Sequence, residues 1–369
     1  MFVCQSQVST AKDMTLWAPP LYAREVVNKA ACVLVSPDRF EYENDFDIIS
    51  NWRTAHSFPL NTFKIGLLKR ARLIDEKSIV AQRLKRLSSI AFKLRRFPEM
   101  KLTQMQDIAG CRAILANVER VKQLVSDYKH SDIKHKLVHE DDYIAGPKNS
   151  GYRSHHLIYR YYSDRSEAYN DLKVEIQIRT VLQHAWATAV ETVGTFIQQA
   201  LKSSQGEEEW LRFFALMSTH LAFREGTAPV PSTPTDRLIL RDELRKLKDK
   251  LDVSGHLLAY TKALADPEIV GAYKDSHYFL LELNPGERRI KVTGYTAEDL
   301  PRASRDYLTV EKAAIEGKSG LDAVLVSVES VKALKQAYPN YFLDTHRFLE
   351  AVEFATRDRF VRTKSVPSG

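Results

Sequence analysis

The sequence predicts an α/β (α+β) protein built in two parts, and three observations carry that prediction. Strand-like and helix-like runs interleave from Asp107 to Arg224. A break with three prolines, Gly226 to Thr235, then interrupts the pattern, and such a run favours an extended, semi-rigid linker. A second, smaller mixture of helices and strands follows it. With 369 residues, 44% of them apolar, the chain can fill two cores.

Taken in order, Leu60 to Phe97 reads as one or two helices. Leu67, Leu68, Ile74, Ile79, Leu84, Leu87, Ile90 and Leu94 recur near a helical period, and Pro98 stops the run. Asp107–Leu115 reads as a strand, Val118–Tyr128 as a helix and Ile133–Val138 as a strand. Asp141–Gly151 is a loop rich in turn residues. Ser154–Tyr162 and Leu172–Thr180 read as strands, Val181–Ala200 and Glu207–Arg224 as helices. Beyond the break come a helix from Asp236 to about Ala265, a strand at Tyr278–Leu283, a turn at Asn284-Pro285-Gly286 and a strand at Ile290–Thr293. A helix (Ala297–Ile315), a strand (Ala323–Val328) and further helices to Phe354 complete it. The expected division is an N-terminal extension (1–60) packed on the next domain, a first domain (61–225), a linker (226–235), a second domain (236–362) and a tail (363–369).

Composition narrows the function. No segment approaches 18 uninterrupted apolar residues, so no membrane span or membrane partner is expected. Met1 to Pro20 lacks a basic start followed by an apolar run, so no secretory signal is expected. Cys4, Cys32 and Cys111 form neither zinc spacing nor a disulfide framework, which suits a reducing cytoplasm. Net charge is +7, and Lys69–Lys101 alone holds eleven Lys/Arg against three acids. That belt suits a polyanionic partner, nucleotide phosphates or RNA.

Chemistry concentrates in four clusters. Lys85, Ser89 and Lys93, preceded by Arg83, stand four apart and would share a helix face able to hold a triphosphate. Asp107 opens a strand with Arg112 five residues on, and a lone carboxylate there could take Mg²⁺ bridging phosphate oxygens. The loop Asp142 to His156 carries Lys148, Gly151, Tyr152 and His156. Gly151 would let the backbone approach a ligand, and Tyr152 offers a ring for a base. Finally, Val174-Glu-Ile-Gln-Ile-Arg-Thr180 alternates strictly. Its polar face presents Glu175, Gln177 and Arg179 at roughly 6.6 Å intervals. Each cluster alone could be ordinary surface or core; their co-occurrence in this order points to a site.

In that order the clusters resemble the RelA/SpoT-type nucleotide pyrophosphokinase domain, over roughly Lys64 to Gly194. The resemblance implies a mixed β-sheet flanked by helices. It also implies transfer of the β,γ-pyrophosphate of ATP to a ribose 3′-hydroxyl. By position, Arg83 and Arg112 would sandwich adenine, and Lys85, Ser89 and Lys93 would hold phosphates. Asp107 and Glu175 would bind Mg²⁺, and Glu175 would polarise the attacking hydroxyl. Tyr152, counted with them as catalytic, would stack on the acceptor, with Lys148 and His156 nearby. Gln177 and Arg179 would order the site. Ser150, and His184 and Trp186 after the Arg-Thr pair, look more like toxic small alarmone synthetases, many of which modify the tRNA 3′-CCA end. No upstream hydrolase domain with a His-Asp motif is expected.

Tyr338-Pro-Asn-Tyr341, in a second part with no cysteine, resembles the CapRel-type fused toxin–antitoxin proteins. That resemblance implies a zinc-finger-like C-terminal domain without metal ligands. It further implies that Tyr338 and Tyr341 cover the ATP site until a phage structural protein, such as major capsid protein, binds. The expectation is an autoinhibited toxic pyrophosphokinase acting on tRNA in anti-phage defence. Two alternatives stand beside it: a small alarmone synthetase making (p)ppGpp or (p)ppApp, and a non-catalytic RNA-binding module.

Overall fold

A computed structural model describes residues 17–35, 43–200, 207–257, 268–270, 276–284, 287, 289–315, 321–328, 331–338 and 345–357. Tyr341, Cys4, the turn residues Pro285 and Gly286, and the tail 363–369 lie outside the described residues.

The helices are α1 (Arg24–Ala30), α2 (Glu43–Ala55), α3 (Ser57–Ile74), α4 (Leu87–Arg96), α5 (Val118–Lys129), α6 (Val181–Ala200), α7 (Glu207–Glu225) and α8 (Arg237–Lys250). Three more follow: α9 (Leu300–Ile315), α10 (Val331–Ala337) and α11 (His346–Thr356). The strands are β1 (Ile79–Leu84), β2 (Ala109–Leu115), β3 (Lys136–Asp142), β4 (His155–Arg160), β5 (Lys173–Thr180), β6 (Glu268–Val270), β7 (Tyr278–Asn284), β8 (Arg289–Tyr295) and β9 (Asp322–Ser327).

Among the described residues the strands form one mixed sheet, ordered β3-β4-β5-β2-β1-β9-β7-β8-β6. β2 runs parallel to β5 and β6 to β8, and the other neighbours are antiparallel. The sheet crosses the expected domain boundary, because β9 pairs with β1 at Gln82↔Ser327 and Arg83↔Val326.

Alternation fixes what each face carries. Val174, Ile176 and Ile178 are fully buried and join Cys111, Val80, Leu67 and Leu124 in the main core, under α3 and α5. Val27, Ile49 and Trp52 of the N-terminal helices enter the same core. Farther along that face α9 packs through Ala303 and Tyr307 onto Leu280 and Ala323. The opposite face carries Ala81, Val326, Phe279 and Leu281 beneath Leu334, Ala337 and Tyr338 of α10 and its end. A third cluster, including Trp186, Phe213, Leu244 and Phe348, joins α6, α7, α8 and α11. No helix among the described residues is long and apolar enough to cross a membrane.

The sequence reading needs three corrections. Leu60–Phe97 is not purely helical, since α3 and α4 flank strand β1. Ala81, Gln82 and Leu84 suit a helix in isolation, but β2 and β9 supply backbone partners on both sides of this segment. The proline-rich run is not a free spacer. Val230 is buried, its N–H donates to Thr219 Oγ1 at 2.9 Å, and Arg153 donates to Ala228 O at 2.6 Å. The helix after Asp236 ends at Lys250, followed by Asp252 in the left-handed region at φ 41°.

Candidate active site

Strand register gathers the polar side chains on one face. Across β2 and β5, Gly110 pairs with Glu175 and Arg112 with Gln177. Across β1, Arg83 pairs with Gly110; across β4, His156 pairs with Gln177. Paired residues share a face. Arg83, Arg112, Glu175, Gln177 and His156 therefore point to the same side, opposite the core formed by Val174 and Ile176. Gly110, lacking a side chain, leaves room between Arg83 and Glu175.

Asp107 stands two residues before β2. Lys85 Nζ lies 2.8 Å from its Oδ2 and Lys93 Nζ 3.0 Å from its Oδ1. Burial alone would raise this carboxyl. The two ammonium groups outweigh burial and hold it below the ordinary carboxylate range. Lys85 is not on the helix with Lys93, as the spacing suggested. It occupies the link between β1 and α4, and its N–H donates to Ile108 O at 2.8 Å. Ser89 sits on the first turn of α4, half-buried, one turn before Lys93.

Glu175 is nearly buried. His156 Nδ1 lies 2.9 Å from its Oε1, and Gln177 Nε2 donates to Oε2 at 2.8 Å. Burial pushes this carboxyl up, but the hydrogen bond and charge of His156 bring it below its ordinary value, against the repulsion of Asp107. Both carboxylates line one cavity. His156 Nε2 meets Tyr152 Oη at 2.8 Å, so Tyr152, His156 and Glu175 form one chain of contacts. Lys148 lies 5.6 Å from the Tyr152 ring and 4.2 Å from that of Tyr143.

A cavity of about 140 Å³ is lined by Arg83, Lys85, Asp107, Arg112, Glu175, Gln177 and Tyr338. Arg179 is buried farther along β5, its Nε without a hydrogen-bond partner among the described residues. Among these residues no three His, Cys, Asp or Glu side chains group to hold a metal. Two carboxylates completed by substrate phosphates and water are the donor set Mg²⁺ takes, so Asp107 and Glu175 fit that ion.

Gly151 is required for a reason other than ligand approach. Its φ is +93°, and a Cβ there would stand 2.8 Å from Ser218 Cβ and 3.0 Å from Trp186. The close approach is to α6 and α7. Ser218 Oγ donates to Gly151 O at 2.7 Å and accepts from Arg153 Nε at 2.8 Å, fixing the loop that carries Tyr152.

The second half reaches the site twice. Tyr338 is buried, donates to Gln82 O at 3.0 Å and lies 5.9 Å from the Arg112 guanidinium, which donates to Ala337 O at 3.3 Å. Glu311 of α9 was not foreseen. Its Oε1 accepts from Leu87 N at 2.8 Å and from Tyr307 Oη at 2.9 Å. Its Oε2 pairs with buried Arg53. α4, the helix that carries Ser89 and Lys93, has no cap from its own N-cap residue Arg86. Glu311 caps it from more than 200 residues away, and a lone Glu on an amphipathic helix gives no sequence signal of that.

Residues 82–194 match the family model described as the region found in RelA / SpoT proteins. The GTP pyrophosphokinase YjbM of Bacillus subtilis is 39% identical over 111 residues, 30% of this chain and 52% of its own length. GTP pyrophosphokinase YwaC of the same organism is 37% identical over 120 residues, 32% of this chain and 53% of its own. The chain thus spans about half the length of the curated relatives it matches. Among solved structures, small alarmone synthetase 1 of B. subtilis bound to its product pppGpp aligns over 55% of this chain and 93% of its own, with 25% identity and a TM-score of 0.35. Residues 82–194 carry the RelA/SpoT region, homologous to small GTP pyrophosphokinases.

Proposed function

We propose that the chain is an ATP-dependent pyrophosphokinase, transferring the β,γ-pyrophosphate of ATP to a ribose 3′-hydroxyl, and that its second half restrains it. The observation that carries this reading is the convergence of Asp107 and Glu175 on one cavity rimmed by Arg83, Lys85 and Arg112. Phosphoryl-type transfer asks for positioning and charge neutralisation. Arg83 and Arg112 bracket the base, and Lys85, Ser89 and Lys93 receive the phosphates. Asp107 and Glu175 would hold Mg²⁺, which would supply charge neutralisation for the transferred phosphates. Without nucleotide, Lys85 and Lys93 keep Asp107 ionised, ready for a cation. Glu175, ionised and oriented by His156 and Gln177, accepts the hydroxyl proton. Tyr152, hydrogen-bonded to His156, presents a ring to the acceptor base.

Two acceptors compete. The names of the relatives favour a guanosine nucleotide. The likeness of Ser150, His184 and Trp186 to toxic small synthetases favours the tRNA CCA end. With the tRNA acceptor, the protein is a toxin whose second half is antitoxin and sensor, released by a phage structural protein such as major capsid protein. Tyr338 in the cavity wall supports restraint under either reading.

The test uses the Tyr338→Ala protein with ATP labelled at the γ position, offered GDP, GTP, AMP and bulk tRNA separately. Label in tRNA alone supports the toxin reading; label in guanosine or adenosine nucleotides supports the alarmone one. No transfer to any acceptor, from a folded protein that binds an ATP analogue, overturns the proposal.

A further inference from the structure

A second and larger cavity, about 570 Å³, opens at the other end of β1 and β2, between α6, α10 and α11. It lies within the size range of small-molecule sites. Ile79, Ile114, Val181, Ala185 and Phe348 give it apolar walls. Lys77, Lys335 and Arg347 bring three cations to it from three separate elements. Among the described lining residues the one carboxylate, Asp75, is already neutralised. Asp75 pairs with Arg120 at 2.6 Å and accepts from Ala116 N at 2.9 Å.

His184 packs into the wall without offering the cavity a polar atom. It is more than nine-tenths buried, and its Nε2 lies 3.0 Å from Gln336 O. A carbonyl only accepts, so Nε2 carries the proton. Burial, then the nearby Arg179 and Arg112, hold the ring neutral. Nδ1 is thus a lone pair, closed off from the cavity and without a partner among the described residues.

We propose that this cavity binds a small aromatic phosphate: a flat apolar ring system bearing a phosphate. The cations take the phosphate and the apolar walls take the ring. Helix α10 couples the two cavities. Lys335 and Gln336 line this one, while Tyr338, directly after the helix, lines the one holding Asp107 and Glu175. A ligand touching α6, α10 and α11 together stabilises the arrangement in which it binds. Its occupancy therefore holds Tyr338 in place. This last step rests on the pyrophosphokinase reading; the binding itself does not.

The experiment is calorimetric titration of the full chain with indoxyl phosphate, with indole and inorganic phosphate as separate arms. Indoxyl phosphate is expected to bind one per chain, and each fragment at least about tenfold more weakly. Lys335→Glu combined with Arg347→Glu, both on the surface, is expected to weaken binding by at least about tenfold. Ala185→Phe, which fills the cavity, is expected to abolish it. Absence of saturable binding overturns the proposal, as does binding indifferent to the charge reversals. Binding lost in Arg83→Ala but kept in Ala185→Phe overturns it too, since it places the ligand in the other cavity. For the coupling, amides of 331–338 should exchange more slowly with ligand bound, and unchanged exchange refutes it even if the protein transfers no pyrophosphate.

Discussion

Replacing Tyr338 tests the restraint most directly. Its phenol donates to Gln82 O at 3.0 Å, and its ring lies 5.9 Å from the Arg112 guanidinium. A hydrogen bond of this kind contributes about 1 kcal/mol net, and a partly desolvated cation–π contact about the same. Together these hold the ring against the first half by about 2 kcal/mol, a factor of about 30 at 1.36 kcal/mol per decade. Tyr338→Phe keeps the ring and loses only the hydroxyl, so kcat/KM for ATP should rise about fivefold. Tyr338→Ala removes both contacts and the obstruction, and should raise it at least about 30-fold. Ala also leaves a hole beside Leu334 and Phe279, costing about 3 kcal/mol of stability. Thermal melts must therefore accompany the rates. The decisive measurement is affinity for a non-hydrolysable ATP analogue. If folded Tyr338→Ala binds it no more tightly than the parent protein, the ring does not obstruct the site and the restraint has another source.

Glu175→Gln in the Tyr338→Ala background should lower kcat at least about 100-fold with little change in melting temperature, because the amide cannot accept the hydroxyl proton; steady-state rates decide this. Glu311→Ala leaves Arg53 charged and buried and removes the acceptor from Leu87 N, so it should cost about 3–5 kcal/mol in urea unfolding. A loss under about 1 kcal/mol would mean the network is dispensable. His56, fully buried with its Nδ1 at 2.8 Å from Trp52 O, is brought by burial to about 4 from 6.5. A depressed histidine binds its proton more readily unfolded. Its contribution is intact above the unfolded value and is lost as pH falls from 6.5 toward 4, about 3 kcal/mol in all. Thermal melts across that window should show the decline, and His56→Gln should flatten it.

Much of the site could be read from local pattern. The period-two alternation of Val174 to Thr180 fixed both the buried and the polar face of β5, because a strand in mid-sheet has no freedom to rotate its side chains. Lys85 and Lys93 read as a phosphate-holding stripe on one helix; their pairing on Asp107 was not foreseen, because it joins the link after β1, helix α4 and the segment before β2. β1 was hidden because its strand character lies in its neighbours. Ile79 and Leu84 also fit a helical period, and only the flanking β2 and β9 decide between the two. Gly151 was singled out correctly as special but for the wrong neighbour, since positive φ and tight space look alike from sequence whether helix or ligand fills it. Glu311 illustrates the hardest class. Its partners Arg53 and Leu87 are 258 and 224 residues away, and nothing local marks it.

On the proposed restraint, the two contacts made by the second half would pull in opposite functional directions, and this constrains how the restraint could be lifted. Tyr338 takes space from the cavity; Glu311 caps the helix whose Lys93 contacts Asp107 in the wall of the same cavity. Detaching the whole second half would remove the obstruction and, with it, the cap, the partner of buried Arg53 and the β9 neighbour of β1. A fragment ending near residue 226 would then hold an uncompensated buried charge, costing several kcal/mol, and an open strand edge. An activating partner gains most by shifting α10 alone. Helix α9 faces the other side of the sheet from α10, so the plug can move while the Arg53–Glu311 pair stays closed. If Tyr338 restrains the site as proposed, activation would be a local displacement of the Val331–Tyr338 segment with β9 still paired to β1.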